Sequence, residues 1–96
     1  MTTKVIGLIQ LTDPAAFEIY RSRVGATVEK YRGQVAFRGQ PLATFWNELD
    51  CDRFDAYVEL AFPTPEDARA WAASPEYREL VAIRSQAMRL TLFAVN

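Results

Sequence analysis

The pattern of hydrophobic and polar positions predicts four β-strands, at 4–11, 34–39, 54–62 and 88–95. The first stretch is apolar on both alternating sets, as expected for a central strand. In the second stretch the alternation predicts Val35 and Phe37 on one face of the sheet, with Arg38 on the opposite face. The third stretch gives the clearest alternation of the four.

A first helix is predicted between the first two strands. Apolar side chains recur there at spacings of three and four, which marks one face of a helix; they are Phe17, Tyr20, Val24, Val28 and Tyr31. Asp13 is expected to cap the free N–H groups, and Pro14 suits the first turn because it has no N–H to satisfy. Gly33 is expected to end the helix.

A second helical region is predicted between the third and fourth strands. Thr64 and Pro65 form a start signal, and two acids follow near the positive end of the helix dipole. Ser74 and Pro75 repeat this signal, so the helix is expected to bend or restart there. Between the second and third strands, residues 43–49 form an extended, aromatic-rich piece whose Phe45 and Trp46 are expected in a core or an interface.

The predicted order is βαββαβ, which indicates one ferredoxin-like α+β domain over residues 1–96. Two helices would cover one face of an antiparallel sheet and leave the other face bare. The side chains expected on that bare face mix aromatic and charged groups: Arg38, Tyr57, Glu59, Arg89 and Phe93. Such a face suits packing against a second sheet, in a homodimer, or lining a small polar cavity.

Composition excludes several classes of function. The net charge is −1 and the basic residues are scattered, so we expect no binding to nucleic acid. The chain has no His and one Cys, Cys51, so no metal, cofactor or intrachain disulfide is expected. The lone Cys fits a reducing compartment, and no apolar run is long enough for a membrane span. We therefore expect a cytoplasmic protein.

Tyr77 and Arg84 are the first candidate site residues. They are seven residues apart, so both are expected on one helix face. An Arg on an apolar stripe needs a carboxylate or a bound anion as its partner. The alternatives to a ligand site are a structural ion pair, with Glu59 as a candidate partner, and a side chain that snorkels out of the edge of the core.

Four further residues complete the candidate set. Glu59 would act as a general base with a raised pKa, and Arg38 or Arg84 would fix an anionic substrate. The alternative is a cross-strand ion pair of Arg38 with Glu59 at a dimer interface. Tyr57 and Trp71 would line a pocket for a planar ligand, or would simply belong to the core.

The chain as a whole resembles the DUF1330 family of the dimeric α/β-barrel superfamily. The matching stretches are 13–17 with Tyr20, 33–39, 59–63, and Ala70-Trp71 followed by 74–77 and Arg84. The sequence departs from the family pattern at Gln40, at Ala72 and through 42–53. The resemblance implies a homodimer with face-to-face sheets. It also implies a pocket between sheet and helices, as in cofactor-free monooxygenases and muconolactone-isomerase-like enzymes.

Two functions remain open from the sequence. One is a homodimeric small-molecule-binding protein or cofactor-independent enzyme, monooxygenase- or isomerase-like, acting on a small apolar or acidic metabolite. The alternative is a non-catalytic dimeric module with a structural or regulatory role. An open cavity lined by Arg38, Tyr77 and Arg84 would favour the first, and a space filled by side chains the second.

Overall fold

The computed structural model describes residues 2–96, which fold into four strands and four helical segments. These are β1 (Thr3–Leu11), α1 (Pro14–Lys30), β2 (Gln34–Gly39), β3 (Ala56–Phe62), α2 (Pro65–Ala72), α3 (Pro75–Arg78), α4 (Val81–Ala87) and β4 (Met88–Val95). The strands form one antiparallel sheet in the order β2-β3-β1-β4. The predicted ferredoxin-like α+β order is confirmed. No helix within residues 2–96 has the length and apolar character to cross a membrane.

The predicted helix starts are confirmed by their hydrogen bonds. Asp13 accepts from the backbone N–H groups of Ala15 and Ala16, both at 3.1 Å. Thr64 Oγ1 accepts from the N–H of Asp67, and Ser74 Oγ accepts from that of Tyr77. Each cap precedes a proline, and the restart predicted at Ser74 is confirmed as the break between α2 and α3. The further break between α3 and α4 has no side-chain cap and was not predicted.

The end of α1 differs from the prediction. The helix stops at Lys30, and the residue with a left-handed backbone is Arg32, with φ of 69°. Gly33 does not have a positive φ but is needed for space. A Cβ there would lie 2.5 Å from the Phe62 ring and 2.8 Å from Val28. The glycine therefore lets the chain pass close to the core.

The helices cover one face of the sheet, and the core lies between the two layers. Within residues 2–96, its largest fully buried apolar side chains are Phe62, Trp71 and Val28. The opposite face, here called the open face, carries side chains from all four strands. It includes Ile6, Tyr57, Glu59, Arg89 and Phe93, as their register positions require.

A β-bulge at Ala36 reverses the face of the sheet on which the following residues of β2 lie. Val35 pairs with Leu60, and Phe37 pairs with the next residue of β3, Glu59, so Ala36 has no partner. The predicted alternation is therefore wrong after Val35, because one extra residue shifts the pattern by one position. Phe37 lies on the open face, and Arg38 lies on the covered face with Val35.

Residues 40–55 join β2 to β3 without a helix or a strand, and we call this segment the arm. Phe45 and Trp46 are each 82% exposed, so the alternative that they belong to the core is wrong. Residues 43–49 form no strand, and β3 begins at Ala56, two residues later than predicted. A turn begins at Asn47, whose side-chain amide accepts from the backbone N–H of Cys51 and donates to its carbonyl, at 2.9 Å each.

Candidate functional site

A cavity of about 310 Å³ lies between α1 and the covered face of the sheet. Its wall is mostly apolar and includes Ile9, Phe17, Val24, Leu60, Met88 and Leu90. It exists because the helices cover the sheet incompletely, which leaves covered-face residues such as Val58 and Leu90 only half-buried. Its volume is at the lower end of the range of about 300–1,000 Å³ that is typical of small-molecule sites.

Two arginines and one aspartate are among the residues that line this cavity. Arg38 reaches the cavity because the bulge turns it to the covered face. Arg21 comes from α1 and lies 3.6 Å from Glu18 in an exposed ion pair. Asp55 is held at the end of the arm, where its carboxylate accepts from the N–H of Leu11 at 2.9 Å. The lining residues thus carry a net positive charge.

The back wall of the cavity is a set of connected aromatic side chains. Tyr20 and Trp71 line the cavity, and Tyr77 lies behind them. The hydroxyl groups of Tyr20 and Tyr77 are 2.9 Å apart, and the rings of Trp71 and Tyr77 are 4.5 Å apart. Burial raises the pKa of the Tyr20 hydroxyl, with smaller contributions from Tyr77. Tyr20 is therefore a neutral hydroxyl at physiological pH.

Arg84 is placed against Tyr77 rather than against a carboxylate. Its Nη1 donates to the Tyr77 hydroxyl at 3.2 Å, and its guanidinium carbon lies 5.6 Å from the centre of the ring. The expectation of one shared helix face is confirmed. The suggested ion pair with Glu59 is wrong, because within residues 2–96 no carboxylate lies within 4 Å of Arg84. The ring and hydroxyl of Tyr77 supply its contacts instead.

Glu59 lies on the open face, away from the cavity. Lys4 Nζ donates to one carboxylate oxygen at 2.7 Å, and the Tyr57 hydroxyl donates to the other at 2.8 Å. The hydrogen bond from Lys4 lowers the pKa of Glu59 most, and the bond from Tyr57 lowers it further. The expectation of a raised pKa is wrong, and so is the cross-strand pair with Arg38, because the bulge puts the two residues on opposite faces.

The six candidate residues are therefore divided among three places. Arg38, Tyr57 and Trp71 border the cavity, although the Tyr57 hydroxyl is bound to Glu59 on the open face. Tyr77 and Arg84 support the back wall, and Glu59 belongs to the open face. Within the described residues 2–96, no three His, Cys, Asp or Glu side chains are grouped to hold a metal ion.

Sequence reasoning missed three residues of the cavity. The apolar periodicity places Tyr20 on the buried face of the first helix, but it does not show that this face borders a gap. Arg21 follows Tyr20 directly on α1, and this adjacency was the available signal. Asp55 had no local signal, because its position depends on how the arm returns to the sheet next to Leu11.

The sheet order and the single helical layer define a ferredoxin-like α+β protein with an apolar cavity between its two layers. The chain belongs to the DUF1330 family, described as a domain of unknown function, whose family model matches residues 4–96. A comparison with curated proteins finds no match.

Several solved structures share this fold at low sequence identity. A protein of unknown function from Rhodopseudomonas palustris is 20% identical, with 98% of this chain and 80% of that chain covered and a TM-score of 0.75. The cofactor-independent oxygenase SnoaB from Streptomyces nogalater is 14% identical, with 99% and 91% covered and a TM-score of 0.68. A dimeric ferredoxin-like protein of unknown function from Jannaschia sp. CCS1 is 9% identical, with 100% and 99% covered and a TM-score of 0.68. At these identities the likeness establishes the fold.

Proposed function

We propose that this protein is a homodimeric small-molecule-binding protein whose ligand is a small, mainly apolar carboxylate or similar anion. The cavity between α1 and the sheet carries this proposal. It combines an apolar wall, which favours a hydrophobic ligand body, with the guanidinium groups of Arg21 and Arg38. A guanidinium donates two parallel hydrogen bonds to a carboxylate, which gives both attraction and orientation.

The charges of the described residues support an anionic ligand group. Within residues 2–96, Arg38 forms no ion pair with a carboxylate, and the pair of Arg21 with Glu18 is long and exposed. Exposed pairs of this kind are weak, so Arg21 exchanges Glu18 for a ligand at little cost. Asp55 is already engaged by a backbone N–H. Both cations therefore remain available to an anion at the cavity.

The homodimer part of the proposal rests on the open face. Phe93 and Phe37 lie there, 44% and 56% exposed, near charged side chains that are already paired, such as Lys4 with Glu59. Related folds include proteins described as dimeric and ferredoxin-like. Two such faces packed together would bury these aromatic rings and leave the cavities on the outer, helical side of each sheet.

Catalysis without a cofactor is the second candidate, because the fold is shared with the oxygenase SnoaB. Asp55 is the carboxylate among the described residues that line the cavity, whereas Glu59 is excluded as its base by position. The neutral hydroxyl of Tyr20 adds a hydrogen-bonding group but no base. Mass spectrometry of bound ligand after incubation in air separates binding from turnover: recovery of unchanged ligand supports the binding protein.

The test of ligand binding is a thermal-shift comparison of benzoate and phenylacetate with their neutral amides. We expect the carboxylates to raise the melting temperature of the wild type and the amides to raise it less. Arg38→Gln should lose this difference, because it removes one guanidinium from the cavity. Arg23→Gln is the matched control, since Arg23 is an exposed residue of α1 that does not line the cavity. Equal shifts for acids and amides, or an equal loss in both variants, would contradict the proposal.

A further inference from the structure

We propose that the arm, residues 40–55, packs against a second copy of this chain. The arm carries four large apolar side chains that contact little of their own chain: Leu42, Phe45, Trp46 and Leu49 are 82–99% exposed. Isolated exposed apolar residues are normal on a protein surface, but four within eight residues form an apolar patch that indicates an interaction site.

Charge indicates which partner the arm fits. The arm contains four acids and one base, which gives it a net charge of −3, whereas the whole chain has −1. The remainder of the chain is therefore +2. On its open face, Arg89 has only a long contact of 3.5 Å with Gln10. An acidic arm is thus complementary to the body of another copy, and electrostatic complementarity favours this partner over an acidic one.

The area of the arm also fits a dimer. An aromatic side chain buries about 150–250 Å². Phe45 and Trp46, with two leucines, therefore supply a large share of the roughly 800 Å² that each partner contributes to a standard interface. In a two-fold dimer the contact is reciprocal, so each chain gives one arm and receives one. This inference rests on the homodimer of the proposed function and adds a second, separate contact to the packing of the open faces.

The arm is connected to the cavity at both of its ends. Gln40, its first residue, and Asp55, its last residue, both line the cavity. Arg38 lies two residues before the arm begins. An arm held by the partner would fix these residues, whereas a free arm lets them move. Dimerisation through the arm would therefore strengthen ligand binding, by fixing the groups that border the ligand before it arrives.

The two tryptophans allow a direct test. Trp46 is 82% exposed on the arm, and Trp71 is 1% exposed in the core. We expect Trp46 emission to be blue-shifted and protected from acrylamide when the protein is dimeric, and to become quenchable on dilution to the monomer. Trp46→Phe isolates the signal of Trp71, which should not change with concentration. Light scattering on the same samples gives the mass, with one chain at 10.9 kDa.

A double variant tests the contact without removing the reporter. Phe45→Ser with Leu49→Ser should raise the dimer dissociation constant at least about tenfold, as expected for losing central apolar contacts. Ile19→Ser, an exposed apolar position on α1, should leave it unchanged.

The possible results distinguish the proposed homodimer from the proposed contact of the arm. A dimer in which Trp46 stays quenchable overturns the arm contact and leaves the homodimer standing. A monomer at every concentration overturns both. Protection of Trp46 in the monomer also overturns the inference, because the arm then packs on its own chain.

Discussion

At the residue scale, two glycines of this chain differ in how much room a Cβ atom would have. Gly33 has Phe62 and Val28 so close that a Cβ has no room, whereas Gly25, inside α1, has nothing within 4 Å of a Cβ. The first glycine is required by packing. The second costs helix stability, because glycine loses more backbone freedom on folding than alanine does.

The two alanine substitutions should therefore change stability in opposite directions. Gly33→Ala is expected to lower the free energy of unfolding by about 1–3 kcal/mol, as overpacking does. Gly25→Ala is expected to raise it by about 0.5–1 kcal/mol. Urea unfolding of both variants and the wild type, at equal protein concentration, measures this. A Gly33→Ala variant that is more stable than the wild type would show that Phe62 shifts to make room for the added methyl group. Lack of space would then not explain the glycine at this position.

At the scale of elements, Glu76 ties the start of α3 to the end of α1. Lys30 Nζ forms an ion pair with one carboxylate oxygen, and the Tyr31 hydroxyl donates to the other at 2.8 Å. The bond from Lys30, then the backbone N–H of Glu76 itself and Tyr31, lower the pKa of Glu76 to about 2. The carboxylate therefore stabilises the contact between the two helices in its charged form.

This contact should make the stability of the protein depend on pH in the acidic range. The pKa of Glu76 is lower in the folded protein than its ordinary 4.5, so its stabilisation is complete above about pH 4.5 and is lost as the pH falls towards 2. We expect the urea midpoint of Glu76→Gln to fall less than that of the wild type over this range. Glu79→Gln, which removes a nearby exposed acid, controls for the loss of one charge. Parallel curves for Glu76→Gln and wild type would contradict the assignment.

At the scale of elements, some features could be predicted from the sequence and others could not. Caps depend on a few neighbouring residues, so Asp13, Thr64 and Ser74 could be assigned correctly from their local context. The bulge at Ala36 depends on which residues of β3 lie opposite, and alternation within β2 does not contain that information. The placement of Arg38 was therefore wrong, and with it the supposed pair with Glu59.

At the scale of the whole molecule, the open face and the arm are the two apolar surfaces on which the proposed dimer rests. The four strands, their order and the helical layer could be predicted, because each element has its own periodicity. The family resemblance implies a pocket between sheet and helices, but the residues that line it could not be predicted, because they depend on where the helices leave the sheet uncovered. The lining comes from α1, α2, the arm and all four strands, which only the folded chain brings together.

The open face can be tested separately from the arm. Phe93→Lys should shift the protein from dimer to monomer, because it puts a charge into an apolar contact between sheets. Ile19→Lys is a matched control, since Ile19 and Phe93 are each 44% exposed but Ile19 lies on α1. Sedimentation velocity at micromolar concentration measures both. Dimers of equal stability in the two variants would place the interface elsewhere.

The bulge at Ala36 has a consequence for the two edges of the sheet. β2 is one edge, and its irregular spacing makes it a poor template for a strand from another molecule. β4 is the other edge, and it pairs with β1 in an unbroken register from Met88 to Val95. If partly folded chains aggregate by adding strands, we expect them to do so along β4. The extra residue that turns Arg38 towards the cavity thus also protects one border of the sheet against aggregation.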